Sequence, residues 1–239
     1  CNTAQSCANR WCSLDTNFGA AQMSSRGSPG RIRARGIFDR TARNAFHCWN
    51  QVFIHYCSSD SWSGEGEVER SCYCIHAPIH KALPTAKAVF HTHMPYASAL
   101  TRLEDPRIKE IGQTEVGLSG LIAYDDEYTG PAMDPSEGAR LARVIGNKSV
   151  LFMANHGITT TGASVAEAYD KLYYVERAAQ VQIYAMWTGQ RLKQLPTPVV
   201  EKTKRDYMDD HLYKSPTPAQ RHFDALKRIL DRKEPDYAT

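Results

Sequence analysis

Three histidines stand where two buried strands would bring their side chains together. His91 and His93 follow the apolar run 86–90, and His156 follows a second apolar run over 149–154. Because successive side chains of a strand point to opposite faces, His91 and His93 would project from the same face. A third imidazole from the end of a neighbouring strand would give three neutral nitrogen ligands and an open position, as in catalytic zinc sites. The H-x-H pattern taken alone is short enough to arise by chance.

The elements that must position these histidines are predicted from periodicity, capping residues and helix breakers. Asp134 is expected to cap a helix that continues to Ile145, and Ser164 opens a capping box for a helix that Gly189 closes. Pro78 would remove a hydrogen bond from its predicted helix unless that helix begins there. The other predicted elements are helices over 76–83, 96–103 and 221–230, and strands over 116–124, 149–154 and 157–161.

Length and composition limit the class of protein. The chain has 239 residues, a formal net charge of +3 and 23% charged residues, which suits one α/β domain with a full core. The basic residues are spread along the chain, so nucleic-acid binding is not indicated. No run of about 18 apolar residues and no signal-peptide pattern is present, which predicts a cytoplasmic protein without membrane insertion. Because the chain begins with Cys1, loss of an N-terminal address is the alternative.

Three regions are expected along the chain. Residues 1–68 show little hydrophobic periodicity, residues 69–195 form the predicted domain core, and residues 196–239 form a charged tail with one amphipathic helix. Within the first region, 24–36 has the composition of a basic flexible loop and 52–56 that of a strand. Three explanations compete for this atypical region: strong divergence, an extension that replaces missing elements, and a coding sequence read out of frame.

The seven cysteines all lie in the first third of the chain. An odd count without a regular framework argues against a disulfide scaffold. Cys72 and Cys74 with His76 and His80 come nearest to a second metal site. Their spacing is not C-x-x-C, and two histidines at i and i+4 are more simply one face of a helix. We therefore predict a single metal site.

From about Ile75 to Gly189 the sequence resembles the class II aldolase/adducin family. The matching segments follow in order over roughly half the chain: 75–80, 84, 89–97, 123–128, 152–157 and the helix with Ala168, Leu172, Tyr173, Glu176 and Arg177. The resemblance implies a three-layer α/β/α class II aldolase-like domain with a central, mostly antiparallel sheet flanked by helices. It also implies that His91, His93 and His156 bind a divalent metal, zinc by default and iron or manganese otherwise.

One position departs from the aldolases of the family. The glutamate that serves them as acid/base falls on Cys72, and a thiol has a reference pKa of about 8.5. Glu69, one helical turn earlier, would point the same way in a helix and is the candidate replacement. The acidic run 125–127 is expected to be a solvated turn, with supply of the missing carboxylate as the alternative. The adducin-like branch also lacks the glutamate, so the catalytic residue is left unknown.

The resemblance leaves three functions open. The first is a metal-dependent carbon–carbon lyase for a small hydroxy-carbonyl or hydroxy-acid compound, because the family's phosphate-binding turn is not recognisable in the first third. The second is a non-catalytic adducin-like assembly or cytoskeletal-binding module, and the third is an iron-dependent oxygenase on the same histidines. The lyase is favoured, as a homo-oligomer like the family's tetramers and with no nucleic-acid partner.

Two further sets of residues are expected to be structural. The tyrosines of the long helix, Tyr169, Tyr173 and Tyr174, have the spacing of packing or surface residues. One of them acting as a proton donor in an oligomeric pocket is the alternative. His211 and His222 belong to the tail and are expected to be solvated or to pack against a helix.

Overall fold

The computed structural model describes residues 21–25, 44–48, 51–56, 61–63, 70–207, 216–233 and 235. Four strands come first: β1 (Ala21–Ser25), β2 (Asn44–Cys48), β3 (Gln51–Tyr56) and β4 (Ser61–Ser63). The central part contains α1 (Arg70–Ala82), β5 (Ala88–Thr92), α2 (Pro95–Leu100), α3 (Gln113–Ser119), β6 (Ile122–Asp125), α4 (Pro135–Ile145), β7 (Val150–Met153) and β8 (Ile158–Gly162). Three helices follow: α5 (Val165–Trp187), α6 (Thr197–Tyr207) and α7 (Pro218–Lys233).

The strands form one sheet in the order β4-β3-β2-β1-β5-β8-β7-β6. Neighbouring strands are antiparallel except β6 and β7, which are parallel. Strand β5 lies in the interior of the sheet between β1 and β8, and His91 of β5 is registered opposite Thr159 of β8. The expected α/β domain with a mostly antiparallel central sheet is confirmed.

Two hydrophobic cores lie on opposite faces of this sheet. Val89 and Leu151 pack into a core with α1 and α4, whereas Phe90 and Phe152 pack into a core with α2, α5 and α7. Adjacent residues of one strand therefore serve different cores, as the two-residue period of a strand requires. By the same period, His91 is on the α1 and α4 side of the sheet.

The helix predicted over 76–83 is confirmed as part of α1, which begins earlier, at Arg70, and carries Pro78 in its interior. A proline has no N–H to donate to the carbonyl four residues earlier, which here belongs to Cys74. Gly138 of α4 packs directly on that turn: a Cβ built on Gly138 would lie 2.0 Å from the Cys74 oxygen and 2.8 Å from the Pro78 ring. Helix α4 therefore packs closely against the turn of α1 that contains the proline.

The predicted caps are confirmed. The Asp134 side chain accepts a hydrogen bond from the Ser136 N–H at 2.8 Å, and α4 ends at Gly146, which has a φ of +53°. Ser164 caps α5 by accepting from the Glu167 N–H, as predicted for the capping box. Gly189, with a φ of +69°, closes that helix.

Two predictions of secondary structure were wrong. Residues 116–119 were expected to be strand but belong to α3, whose Val116 and Leu118 are buried. Only the later part of that stretch is strand, as β6. In the tail, α6 was not predicted beside α7, and Val200 of α6 is buried although its helix is mostly charged. In both cases packing against other helices decides the conformation.

Several expectations fall outside the described residues. The loop over 24–36 is described only at Ser24 and Ser25, which end β1, and Glu69 and His211 are not described. The strand expected at 52–56 is confirmed as β3. The region boundaries at 68 and 195 stay predictions. Among the described helices, none has the length and apolar character that crossing a bilayer requires.

Candidate metal centre

The three predicted histidines converge at one end of β5. The ring centroids of His91 and His93 lie 5.0 Å apart, and each lies 4.7 Å from the ring of His156. One nitrogen from each ring can be chosen such that all three lie within 4.8 Å of one another. The structure thus brings together all three residues that the sequence indicated, and no other such group of potential ligands occurs in the described parts of the chain.

His91 is oriented by the neighbouring strand. It is 4% exposed, and its Nδ1 lies 3.1 Å from the carbonyl oxygen of Ile158 and 3.2 Å from Oγ1 of Thr159. A carbonyl oxygen only accepts, so Nδ1 of the neutral ring is the protonated nitrogen and donates to it. The lone pair is then on Nε2, which is the atom 3.2 Å from Nε2 of His93. A backbone carbonyl on the far nitrogen is the usual support of a metal-binding histidine.

His156 is carried by the tight turn between β7 and β8. Asn155 has a φ of +54°, a left-handed conformation that asparagine tolerates better than most residues. Gly157 then has no room for a side chain, since a Cβ would lie 2.4 Å from the Thr92 oxygen and 2.6 Å from the His93 ring. The sequence Asn155-His156-Gly157 therefore reverses the chain, and it lets β8 approach β5 closely beside the cluster.

His93 follows β5 and directly precedes helix α2. Met94, the capping residue of α2, makes no side-chain cap, and Pro95 fills the first helical position. The cap comes instead from α5: Glu176 accepts from the N–H groups of Tyr96 at 3.0 Å and Ala97 at 2.8 Å. Glu176 is buried, and its carboxylate at the positive end of α2 fixes where the helix begins.

Arg102 ties α2 to the turn that carries His156. Its Nη1 lies 2.7 Å from the carbonyl oxygen of Ser98, from Oγ1 of Thr101 and from the carbonyl oxygen of His156. The N–H of Asn155 also donates to the Thr101 oxygen at 2.8 Å. The end of α2 and the turn are thus joined by hydrogen bonds on both sides of His156.

The surroundings keep the three imidazoles neutral. Burial, together with His156 and His93, holds the pKa of His91 well below its ordinary value. Burial and then the Arg102 guanidinium lower the pKa of His93. Burial, His93 and Arg102 lower the pKa of His156 to about 4. Neutral imidazole is the form that binds a metal, so the cluster stays ready to bind at neutral pH.

The donor set fits a divalent ion. With zinc–nitrogen bonds of about 2.0–2.1 Å and tetrahedral angles, two ligand nitrogens lie about 3.3 Å apart, close to the 3.2 Å between the Nε2 atoms of His91 and His93. His93 is exposed and His156 half-buried, so the cluster is open to solvent on one side. Three imidazoles and an open side are typical of a catalytic site.

The residues considered for the missing acid/base lie in different environments. Cys72 is a fully buried thiol on α1. Asp125 is not part of a solvated turn, as had been expected: it is 5% exposed and both its oxygens bind the Arg140 guanidinium, at 2.8 and 2.6 Å. Asp126 and Glu127 are exposed. Both oxygens of Asp125 are therefore engaged by Arg140 rather than directed to solvent.

The other candidate residues are structural where they are described. His80 is buried and its Nδ1 lies 2.8 Å from the Ala86 oxygen, which fits the helical reading of the His76 and His80 pair. His222 packs on α5, with Nδ1 2.7 Å from Asp170 and its ring 4.8 Å from that of Tyr173. The prediction of a helix-packing histidine at His222 is confirmed.

Two important residues were missed in the sequence. Glu176 was noted only as one of the matching positions, and Arg102 was not singled out. No short-range signal marks either one, because their partners lie in other elements. The sequence did contain one sign for Glu176, a glutamate on the apolar face of a predicted helix. A buried carboxylate needs hydrogen-bond donors, so this position could have been predicted to bind N–H groups of another element.

The fold and the histidine cluster together define an aldolase-like α/β domain. The sequence profile of the Class II Aldolase and Adducin N-terminal domain matches residues 50–183, more than half of the chain. The chain belongs to this family. A second profile, that of pectinacetylesterase, matches residues 1–76.

Individual relatives agree with this assignment. The chain is 37% identical to an adducin-related protein of Schizosaccharomyces pombe over 49% of this chain and 36% of that protein. It is 26% identical to a decarboxylase of Streptomyces niveus over 76% of this chain and 64% of that protein. A crystal structure of an aldolase II superfamily protein from Pseudomonas syringae superposes with a TM-score of 0.80 and 27% identity, covering 100% of this chain and 94% of that one. The chain thus spans only 36% and 64% of the lengths of these two curated relatives.

Proposed function

We propose that this protein is a divalent-metal-dependent lyase that breaks a carbon–carbon bond in a small hydroxy-carbonyl or hydroxy-acid compound. The observation that carries the proposal is the convergence of His91, His93 and His156, with Nε2 atoms of two rings 3.2 Å apart. The chemistry that a divalent ion supplies when bound there is Lewis acidity, which polarises a carbonyl and stabilises an enediolate.

The residues around the three histidines hold the rings in position for binding an ion. Ile158 and Thr159 hold the ring of His91 so that Nε2 faces the cluster. Glu176 fixes the start of α2 directly after His93, and Gly157 lets the His156 turn lie against Thr92. A ligand set fixed before binding needs little rearrangement when the ion arrives, which favours affinity.

The name of one relative supports carbon–carbon cleavage as the reaction type. The curated name of the Streptomyces niveus relative is decarboxylase. Decarboxylation and aldol cleavage both break a bond next to a carbon that must carry negative charge in the transition state. Stabilisation of that charge is the contribution common to both reactions. We propose zinc as the ion.

Elemental analysis tests the proposal. The purified protein is compared with the His91→Ala, His93→Ala double variant and with His222→Ala, a histidine outside the cluster that serves as the matched control. We expect about one zinc, iron or manganese per chain in the parent and in His222→Ala, and none in the double variant. Absence of metal from the parent, even after reconstitution with each ion, would refute the proposal.

A non-catalytic adducin-like module is the second candidate. It is favoured by the 37% identity to the adducin-related protein and by the thiol of Cys72 at the position of the family's glutamate. Absence of metal from the parent in the same experiment would make this alternative the better interpretation. An iron-dependent oxygenase is distinguished by the element found and by oxygen consumption with the iron-loaded protein.

We also propose that the chain assembles into a homo-oligomer. Helix α5 exposes a stripe of large apolar and aromatic side chains with helical spacing, namely Tyr174, Val181, Tyr184 and Trp187. Trp187 is 74% exposed, which is unusual for so large an apolar ring. Covering such a stripe with another copy would remove apolar surface from water.

A further inference from the structure

We propose that Arg102 binds the carboxylate of the substrate, so that the compound processed at the histidine cluster is a small 2-hydroxy or 2-oxo acid. The inference rests on the proposed metal-dependent function and narrows its substrate class. Three observations about Arg102 carry it: how its guanidinium is held, what it lacks as a partner, and where it stands relative to the cluster.

The guanidinium is held at one end and open at the other. Nη1 lies 2.7 Å from three acceptors, the oxygens of Ser98 and His156 and Oγ1 of Thr101. These contacts involve Nη1 alone, whereas the Nε and Nη2 groups make no hydrogen bond within the described segments. Arg102 is exposed. Its free edge presents two parallel N–H donors, the geometry that matches the two oxygens of a carboxylate.

Arg102 has no acidic partner among the described residues, in contrast to other cations nearby. Arg107 pairs with Asp105 and Asp126, and Arg140 pairs with Asp125 and other acids. Every oxygen within hydrogen-bond distance of Arg102 belongs to a neutral carbonyl or hydroxyl. The positive charge is therefore left without a counter-ion beside the cluster.

The charge of the site as a whole favours an anion. Arg102 donates to the carbonyl oxygen of His156 itself at 2.7 Å, so its positive charge lies beside the cluster. Three neutral imidazoles leave the double charge of a bound cation uncompensated, because no carboxylate belongs to the described ligand group. A substrate with a negative charge between the two cations would be attracted by both and would offset part of their charge. A 2-hydroxy acid can place its hydroxyl toward the cluster and its carboxylate on Arg102.

Binding to the cobalt(II)-loaded protein tests the inference without an assay of activity. Cobalt(II) absorption reports ligands that reach the ion, and the probes are glycolate, neutral hydroxyacetone and inorganic phosphate. The variants are Arg102→Gln, Arg102→Lys and Arg143→Gln. The last is the matched control, since Arg143 is an exposed arginine on α4.

We expect Arg102→Gln to weaken glycolate binding about tenfold or more, with hydroxyacetone binding unchanged. The glycolate affinity of Arg102→Lys should lie between that of the parent and that of Arg102→Gln, because lysine keeps the charge and loses the paired donors. Arg143→Gln should match the parent. If Arg102→Gln does not fold, glycolate binding by Arg102→Lys still tests the inference. The lysine ammonium can reach the carbonyls that Nη1 binds, so this variant keeps those contacts.

Each failure has a distinct signature. A parent that binds no cobalt(II) refutes the proposed metal function itself. Cobalt(II) bound equally by all variants, with glycolate affinity unchanged by both Arg102 substitutions, overturns the inference and leaves the metal function standing. Tighter binding of phosphate than of glycolate, dependent on Arg102, overturns the assignment of a carboxylate.

Discussion

The carboxylate of Glu176 lies 2.8 Å from the backbone nitrogen of Ala97 and caps a helix that belongs to a distant part of the chain. The same carboxylate accepts from Tyr96, so one side chain satisfies two N–H groups of the first turn of α2. Helix α2 begins two residues after His93. The position of His93, a candidate ligand, therefore depends on a residue of α5 that is not itself one of the three candidate ligands.

Glu176→Gln should destabilise the protein and weaken metal binding together. A glutamine offers one acceptor oxygen, and its NH₂ group would face an N–H donor of α2 in a buried place. We expect a loss of about 1–3 kcal/mol in the free energy of unfolding, measured with urea on the metal-free protein. Zinc affinity, measured by competition with a chelator, should also fall. Glu201→Gln, an exposed glutamate of α6, is the control and should change neither quantity; equal stability of the two variants would contradict the capping role.

The metal-free protein should lose stability as the pH falls from about 6.5 to about 4. An unfolded histidine has a pKa of about 6.5, whereas that of His156 in the fold is about 4 and that of His91 is also lowered. Within this window the unfolded chain binds protons that the folded chain does not, so the free energy of unfolding rises with pH and levels off above it. Urea unfolding at several pH values measures the slope. His156→Ala should have a shallower slope than the parent, and equal slopes would argue against a depressed pKa at His156.

Gly157→Ala should damage the metal site more than the fold. The added Cβ would meet the Thr92 oxygen at 2.4 Å and the His93 ring at 2.6 Å, so His93 must move or the two strands must separate. We expect a loss of at least about tenfold in zinc affinity, with the far-ultraviolet circular dichroism unchanged. Gly120→Ala is the matched control, because nothing lies within 4 Å of its added Cβ. Parental zinc affinity in Gly157→Ala would show that the close approach is not needed.

Val181→Glu should weaken assembly. Val181 is 53% exposed within the stripe on α5, and a carboxylate there would resist burial against a second copy. Light scattering after size-exclusion chromatography should give a smaller mass for this variant than for the parent. Val199→Glu makes the same change at a valine of α6 that is 45% exposed, and it should keep the parental mass. A monomeric parent would rule out the proposed oligomer.

The cluster was predictable because its geometry follows from local rules. The period of two in β5 places His91 and His93 together, and the turn at Asn155 and Gly157 is short enough to return the chain to the same end of the sheet. The caps at Asp134 and Ser164 are likewise encoded within four residues of sequence. Signals of this kind do not depend on what the rest of the chain does.

What the sequence did not reveal depends on partners far along the chain. Val116 and Leu118 have β-compatible spacing, but both are buried in a helix, and Gly117 lies against the ring of Tyr207 of α6. Helix α6 is so polar that its periodicity alone does not predict it. Helix α6 packs against α3, so the two missed helices contact each other. Asp125 was assigned to a solvated turn because Arg140, its partner, comes fifteen residues later.

The contact between Gly138 and the carbonyl of Cys74 also has a consequence for the alignment of two helices. Pro78 has no N–H to offer that oxygen, and a Cβ at position 138 would lie 2.0 Å from it, so only a residue without a side chain can pack there. Sliding α4 by one turn in either direction would bring Asp134 or Ala142 to the same place, and both carry a Cβ. The contact between Gly138 and Cys74 therefore fixes the position of α4 along the axis of α1. Insertion of one residue into either helix would shift every contact between the two helices beyond the insertion.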